Sequence, residues 1–124
     1  MTAVSSVAVT KIGTVFLPVK DTAAASTWFR KAFDLTEHSV DPWAAVLVDT
    51  QGTKLTLLSP ASGVQAQPGL PWATHNLVVQ DVFETHARMV DEGYAVTNVT
   101  GDPDVCLFFS MRDPDGNVLL ICDR

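Results

Sequence analysis

The chain repeats itself. Val19-Lys20-Asp21 returns as Val79-Gln80-Asp81. The turn Asp113-Pro114-Asp115-Gly116-Asn117 has a fainter twin in Thr50-Gln51-Gly52-Thr53. Each turn feeds a short apolar run, Lys54 to Leu58 in the first half and Val118 to Cys122 in the second. Pro114 presets φ for a turn, and Gly116 accepts a positive φ without steric cost. The runs are too short for helices and rich in branched residues, so they read as buried strands. The two matches are spaced slightly differently, which implies a small insertion. A duplicated unit constrains the fold more than any single element does.

Each copy reads strand–helix–strand–strand–strand. In the first, Ile12 to Val19 is a strand with Val15, Leu17 and Val19 on one face and Thr14, Phe16 and Pro18 on the other. Pro18 cannot donate to a ladder, which places it at a strand end or on an open edge. Asp21 is a good helix N-cap, and Ala25, Trp28, Phe29 and Ala32 recur at helical spacing, so Thr22 to Phe33 is expected to be an amphipathic helix. A weak strand around Glu37 to Val40, a turn at Asp41-Pro42, and strands at Trp43 to Asp49 and Lys54 to Leu58 complete the unit.

The second copy opens with a strand at Thr74 to Val79, with His75, Leu77 and Val79 facing one way and Thr74, Asn76 and Val78 the other. Asp81 and Glu84 form a capping-box-like pair before a helix whose expected buried stripe is Phe83, Ala87 and Val90, and Gly93 ends it. Strands at Val96 to Val99, Val105 to Met111 and Val118 to Cys122 follow. The expected organisation is a flexible leader over residues 1–10, a first module at 11–60, a linker at 61–71 and a second module at 72–124, all in one compact domain. Neither four-stranded half can cover both faces of its own sheet, so the halves must pair.

Composition narrows the partners. The chain has 124 residues, and a chain of this size buries roughly two-thirds of its extended surface without staples. Its formal charge is −6, with no Lys/Arg cluster, which argues against a nucleic-acid partner. The start of the chain has neither the basic flank of a signal peptide nor an apolar run long enough for a membrane span, so a cytoplasmic protein is expected. Cys106 and Cys122 match no zinc or redox spacing and read as reduced, buried small hydrophobes.

With both Val-x-Asp starts, the Trp28-Phe29 helix and the terminal turn in view, the chain from Lys11 to Asp123 resembles the vicinal oxygen chelate superfamily. That group includes glyoxalase I, extradiol dioxygenases, and fosfomycin- and bleomycin-resistance proteins. The resemblance implies an α+β fold of two βαβββ modules whose curved mixed sheets form a cup, commonly in a homodimer. It also implies four cavity-facing positions that carry His or Glu in metal-dependent members. Here they fall on Thr14, Thr56, Thr74 and Leu120. None is a competent ligand for a catalytic divalent cation, so the resemblance points to the metal-free, bleomycin-resistance-like members, with no cofactor.

Strand parity gives an inward-facing set of Thr14, Phe16, Thr56, Thr74, Asn76, Leu120 and Cys122, a mainly apolar wall with a few polar groups. Trp43 and Trp72 sit at loop ends, where they could stack on a planar ligand or cover a core or dimer interface. A one-residue bulge would turn His75 into the cavity. His38 and His86 read as surface or helix-packing groups. Three functions follow. The first is binding of a small hydrophobic or aromatic molecule. The second is metal-independent or unconventional lyase or isomerase chemistry with His75 as base. The third is a non-catalytic interaction module whose cup is filled by Phe16, Phe108 and Phe109.

Overall fold

The computed structural model describes residues 7–124; the first six residues of the expected leader lie outside it. The elements run β1 (Thr14–Pro18), α1 (Thr22–Phe33), β2 (Thr36–Val40), β3 (Ala44–Val48) and β4 (Lys54–Leu58), then β5 (Asn76–Val78), α2 (Val82–Asp91), β6 (Thr100–Asp102), β7 (Cys106–Arg112) and β8 (Val118–Cys122), with a 3-10 turn at Pro60–Ser62. They form two four-stranded sheets, ordered β1-β4-β3-β2 and β5-β8-β7-β6. In each sheet the first strand pairs parallel with the last, and the other pairs are antiparallel. This is the expected pair of βαβββ units with mixed sheets.

One apolar cluster runs through both units. Leu17, Val19, Leu47, Leu55 and Leu57 of the first sheet pack with Ala25 and Phe29 of α1, and Phe109, Met111, Leu119 and Ile121 of the second sheet pack with Val82 and Met89 of α2. Burying each large aliphatic or aromatic side chain here contributes roughly 1.5–3 kcal/mol. Both helices are capped by the expected residue: Asp21 accepts from Ala24 N, and Asp81 from Phe83 N and Glu84 N. Trp28 reaches across to Tyr94, edge-on with centroids 5.8 Å apart, and links the two units.

Several strands are shorter than the sequence suggests. β1 begins at Thr14 rather than Ile12, and β3 excludes Trp43 and Asp49. β5 begins at Asn76, so Thr74 and His75 precede it. The expected strand at Val96 to Val99 is reduced to a single bridge between Val96 and Met111, and the outer strand is instead Thr100–Asp102. Gly101 explains that shift. It has φ 108°, and a Cβ there would lie 2.2 Å from the Cys106 carbonyl oxygen and 3.1 Å from the Phe108 ring, so only glycine brings this strand onto β7.

The stripe assigned to α2 is on the wrong side. Phe83, Ala87 and Val90 are exposed, whereas Val82 and Met89 are buried. The inner face also uses His86, whose ring stands edge-on to Phe109 at 5.1 Å while Nε2 lies 2.9 Å from the Thr97 carbonyl oxygen. A polar ring thus does packing work that an apolar count assigns to the opposite face. Phe109, expected as a cup filler, lies in this helix-side core at 1% exposure. Cys122 is buried as expected, but Cys106 is only half-buried, because it opens β7 beside the chain end.

Candidate functional site

The sheet faces turned away from the helices carry the residues singled out by parity. On the first sheet Phe16 pairs with Thr56 and Thr56 with Val46. Thr14 Oγ1 lies 2.8 Å from Thr56 Oγ1 and 3.0 Å from the Lys54 carbonyl oxygen, so the hydroxyl that donates to the carbonyl accepts from its neighbour. Phe16, on the edge strand β1, is 56% exposed, a large apolar side chain left open on this face. On the second sheet Asn76 pairs with Leu120 and Leu120 with Ser110, while Val78, Cys122 and Phe108 form the adjoining row. Val46 and Ser110 were missed by sequence reasoning, although the alternation of β3 and β7 puts them on the same faces as Thr56 and Leu120.

Within one chain these two rows belong to separate sheets. Thr14 and Thr56 meet; Thr74 instead pairs its hydroxyl with His75 Nδ1 at 3.1 Å. Burial holds the His75 imidazole below its ordinary pKa. Trp43, just before β3, and Trp72, in the loop four residues before β5, are both exposed. Among the described residues no group of three or more His, Cys, Asp or Glu side chains is gathered as a metal site would need.

A concavity lies elsewhere, between the units. It has a volume of about 610 Å³ and is bounded by the end of α1 (Lys31, Phe33, Leu35), the Asp49–Gln51 turn, the Asn76–Val79 segment and α2 (Arg88, Met89). Of the expected site residues only Asn76 borders it. No local motif could have revealed this cleft, since it arises from the packing of one unit against the other.

The turn that most clearly organised the sequence is also the join. Asp113 Oδ1 accepts from Asp115 N and Asn117 N. Asn117 is fully buried, and its amide donates to Asp113 Oδ2 at 2.9 Å and to the Pro18 carbonyl oxygen of β1 at 2.8 Å. Its Oδ1 accepts from Gly69 N and Leu70 N. One side chain thereby ties the second unit's turn to the end of β1 and to the segment between the units. Burial raises the Asp113 pKa, while the hydrogen bonds from Asn117 pull it down.

Against this fold, a family profile matches residues 11–121. The chain belongs to the Glyoxalase/Bleomycin resistance protein/Dioxygenase superfamily. Solved structures agree on the fold. A member of this superfamily from Sphaerobacter thermophilus DSM 20745 superposes with a TM-score of 0.77 at 19% identity, covering 92% of this chain and 97% of the other. A lactoylglutathione lyase from Agrobacterium tumefaciens gives 0.75 at 18% identity, with 93% and 94% covered. A bleomycin resistance determinant encoded on the transposon Tn5 gives 0.71 at 16% identity, with 93% and 98% covered. Comparison with curated proteins returns no match. Among the described residues no helix is long and apolar enough to cross a membrane.

Proposed function

We propose that this superfamily member is a small-molecule-binding protein that sequesters or carries a hydrophobic or aromatic compound. The observation that carries this reading is the donor set at the four positions where metal-dependent relatives place His or Glu. Here they are Thr14, Thr56, Thr74 and Leu120. Two of the three hydroxyls are engaged with each other, and a hydrocarbon holds the fourth post. Neutral alcohols do not fit a catalytic divalent ion, which wants imidazole, carboxylate or thiolate.

The faces left without that chemistry are apolar and open. On them Phe16 (56%) and Val78 (61%) are exposed, and so are the loop residues Trp43 (52%) and Trp72 (64%). β1 and β5 are edge strands of their sheets. Both facts support a cup completed between two copies, in which Thr14, Phe16 and Thr56 of one chain face Asn76 and Leu120 of the other. Titration with a panel of planar aromatic compounds tests the reading. A ligand should quench tryptophan emission and raise Tm, and Phe16→Asp should abolish both effects without unfolding the protein. A panel that leaves emission and Tm unchanged contradicts it. A species that sediments as a monomer with ligand bound contradicts the shared cup alone.

One observation favours residual catalysis. Burial lowers the His75 pKa and so favours the neutral form a general base requires, and the ring sits against the Thr74 hydroxyl. On that reading His75→Ala removes turnover of a bound compound; on the binding reading it leaves affinity nearly unchanged.

A further inference from the structure

The two cysteines are sixteenth-neighbours with no motif between them, yet the fold brings them together. Register pairs Phe108 with Cys122 across β7 and β8. Cys106 lies two residues before Phe108 on the same strand, so both thiols project from the same face as diagonal neighbours. The Cys106 thiol donates to the Arg124 carbonyl oxygen at 3.5 Å, and the Asn76 amide donates to the same oxygen at 3.4 Å. Asn76 and Cys106 also both approach the Cys122 thiol. Cys122 is 2% exposed, while Cys106 is half-buried and remains reachable from solvent.

We propose that Cys106 and Cys122 form a two-thiolate site for a soft monovalent d10 cation, of which Cu(I) is the representative. The ligand count selects the metal. Zn(II) wants four donors in a tetrahedron, and among the described residues no third His, Cys, Asp or Glu completes such a group. A linear two-coordinate ion needs only two sulfurs, and thiolates favour Cu(I). Binding is a proton exchange without electron transfer. Each thiol releases its proton to solvent, and each sulfur lone pair forms one bond to the cation. Burial pushes the Cys122 thiol pKa up, so the cation competes with a firmly held proton and affinity rises with pH. None of the four family positions takes part, so the copper titration does not depend on the binding reading, although Cys122 shares its sheet face with Asn76 and Leu120.

Anaerobic titration of the full chain with Cu(I), followed by ultraviolet thiolate-to-copper charge-transfer absorption and by intact mass, tests this. The expected result is saturation at one equivalent per chain, with release of protons, and no comparable saturation with Zn(II). Cys106→Ala and Cys122→Ser should each abolish saturable binding. Because Cys122 is buried, Cys106→Ala at the half-buried position keeps the test valid if the other variant misfolds. Copper uptake unchanged in Cys106→Ala, absence of saturation in the parent chain, or Zn(II) binding as tightly as Cu(I) would each overturn the proposal.

Discussion

The two hairpin turns of this molecule are built alike and do different jobs. In the first, Asp49 Oδ1 accepts from Gln51 N and Thr53 N, Asp49 N donates to the Thr53 carbonyl, and Gly52 has φ 83°. In the second, Asp113 Oδ1 accepts from Asp115 N and Asn117 N, Asp113 N donates to the Asn117 carbonyl, and Gly116 has φ 85°. The local design is the same. The sequences differ at three of the five positions, and the largest structural consequence is at the last, although Asp115 Oδ2 also accepts from Lys20 N at 3.4 Å. Thr53 is exposed, while Asn117 is fully buried and reaches Pro18, Gly69 and Leu70. The first turn therefore borders an open cleft, and the second closes against the neighbouring unit. A turn motif fixes the backbone; the side chain at its last position decides whether it also becomes a joint.

The largest loss of stability is expected at the joint itself. Asn117→Ala leaves the Pro18 carbonyl and two backbone N–H groups without their partner, and should cost about 3–4 kcal/mol in chemical denaturation. Thr53→Ala should cost less than about 0.5 kcal/mol. Equal losses at the two positions would remove the distinction. Asn117→Asp should be as damaging as Asn117→Ala, because an ionised oxygen would then face the Pro18 carbonyl and Asp113 Oδ2.

A smaller effect is expected at the glycine the two turns share. Both glycines sit at positive φ with no steric obstacle to a Cβ beyond ordinary contact. Gly52→Ala and Gly116→Ala should each cost about 1–2 kcal/mol from backbone strain alone. A much larger loss at Gly116 would mean that the closed turn is strained in ways the open one is not.

The smallest effect concerns pH. The folded His75 pKa lies below its unfolded value, so folding is disfavoured when the unfolded chain takes up the proton. Stability is fully present above about pH 6.5 and declines as pH falls through that range toward the folded value. His75→Gln should flatten this part of the stability–pH curve. An identical slope in the variant would place the titration elsewhere.

Much of the fold was legible because it is local. Val-x-Asp starts, turn glycines and alternating strands specify each βαβββ unit from neighbouring residues. The failures were tertiary. α2 buries Val82 and Met89 because His86 can pack on Phe109, a contact invisible to a hydrophobic count. The outer strand forms at Thr100–Asp102 because Gly101 clears Phe108, which is a cross-strand fact. The family resemblance marks the positions of Thr14 and Thr56, but nothing in the sequence marks their mutual hydrogen bond. The inter-unit cleft and the approach of Cys106 to Cys122 depend on packing between elements distant in sequence, and alternation within one strand carries no record of either.

The binding reading is tested most directly by amide chemical-shift mapping of the protein saturated with the aromatic compound that raises Tm most. The expected result is perturbation of both open faces, at Thr14, Phe16 and Thr56 on one sheet and at Asn76 and Leu120 on the other. Shifts confined to the cleft around Lys31, Asp49 and Arg88, with both faces silent, would contradict it.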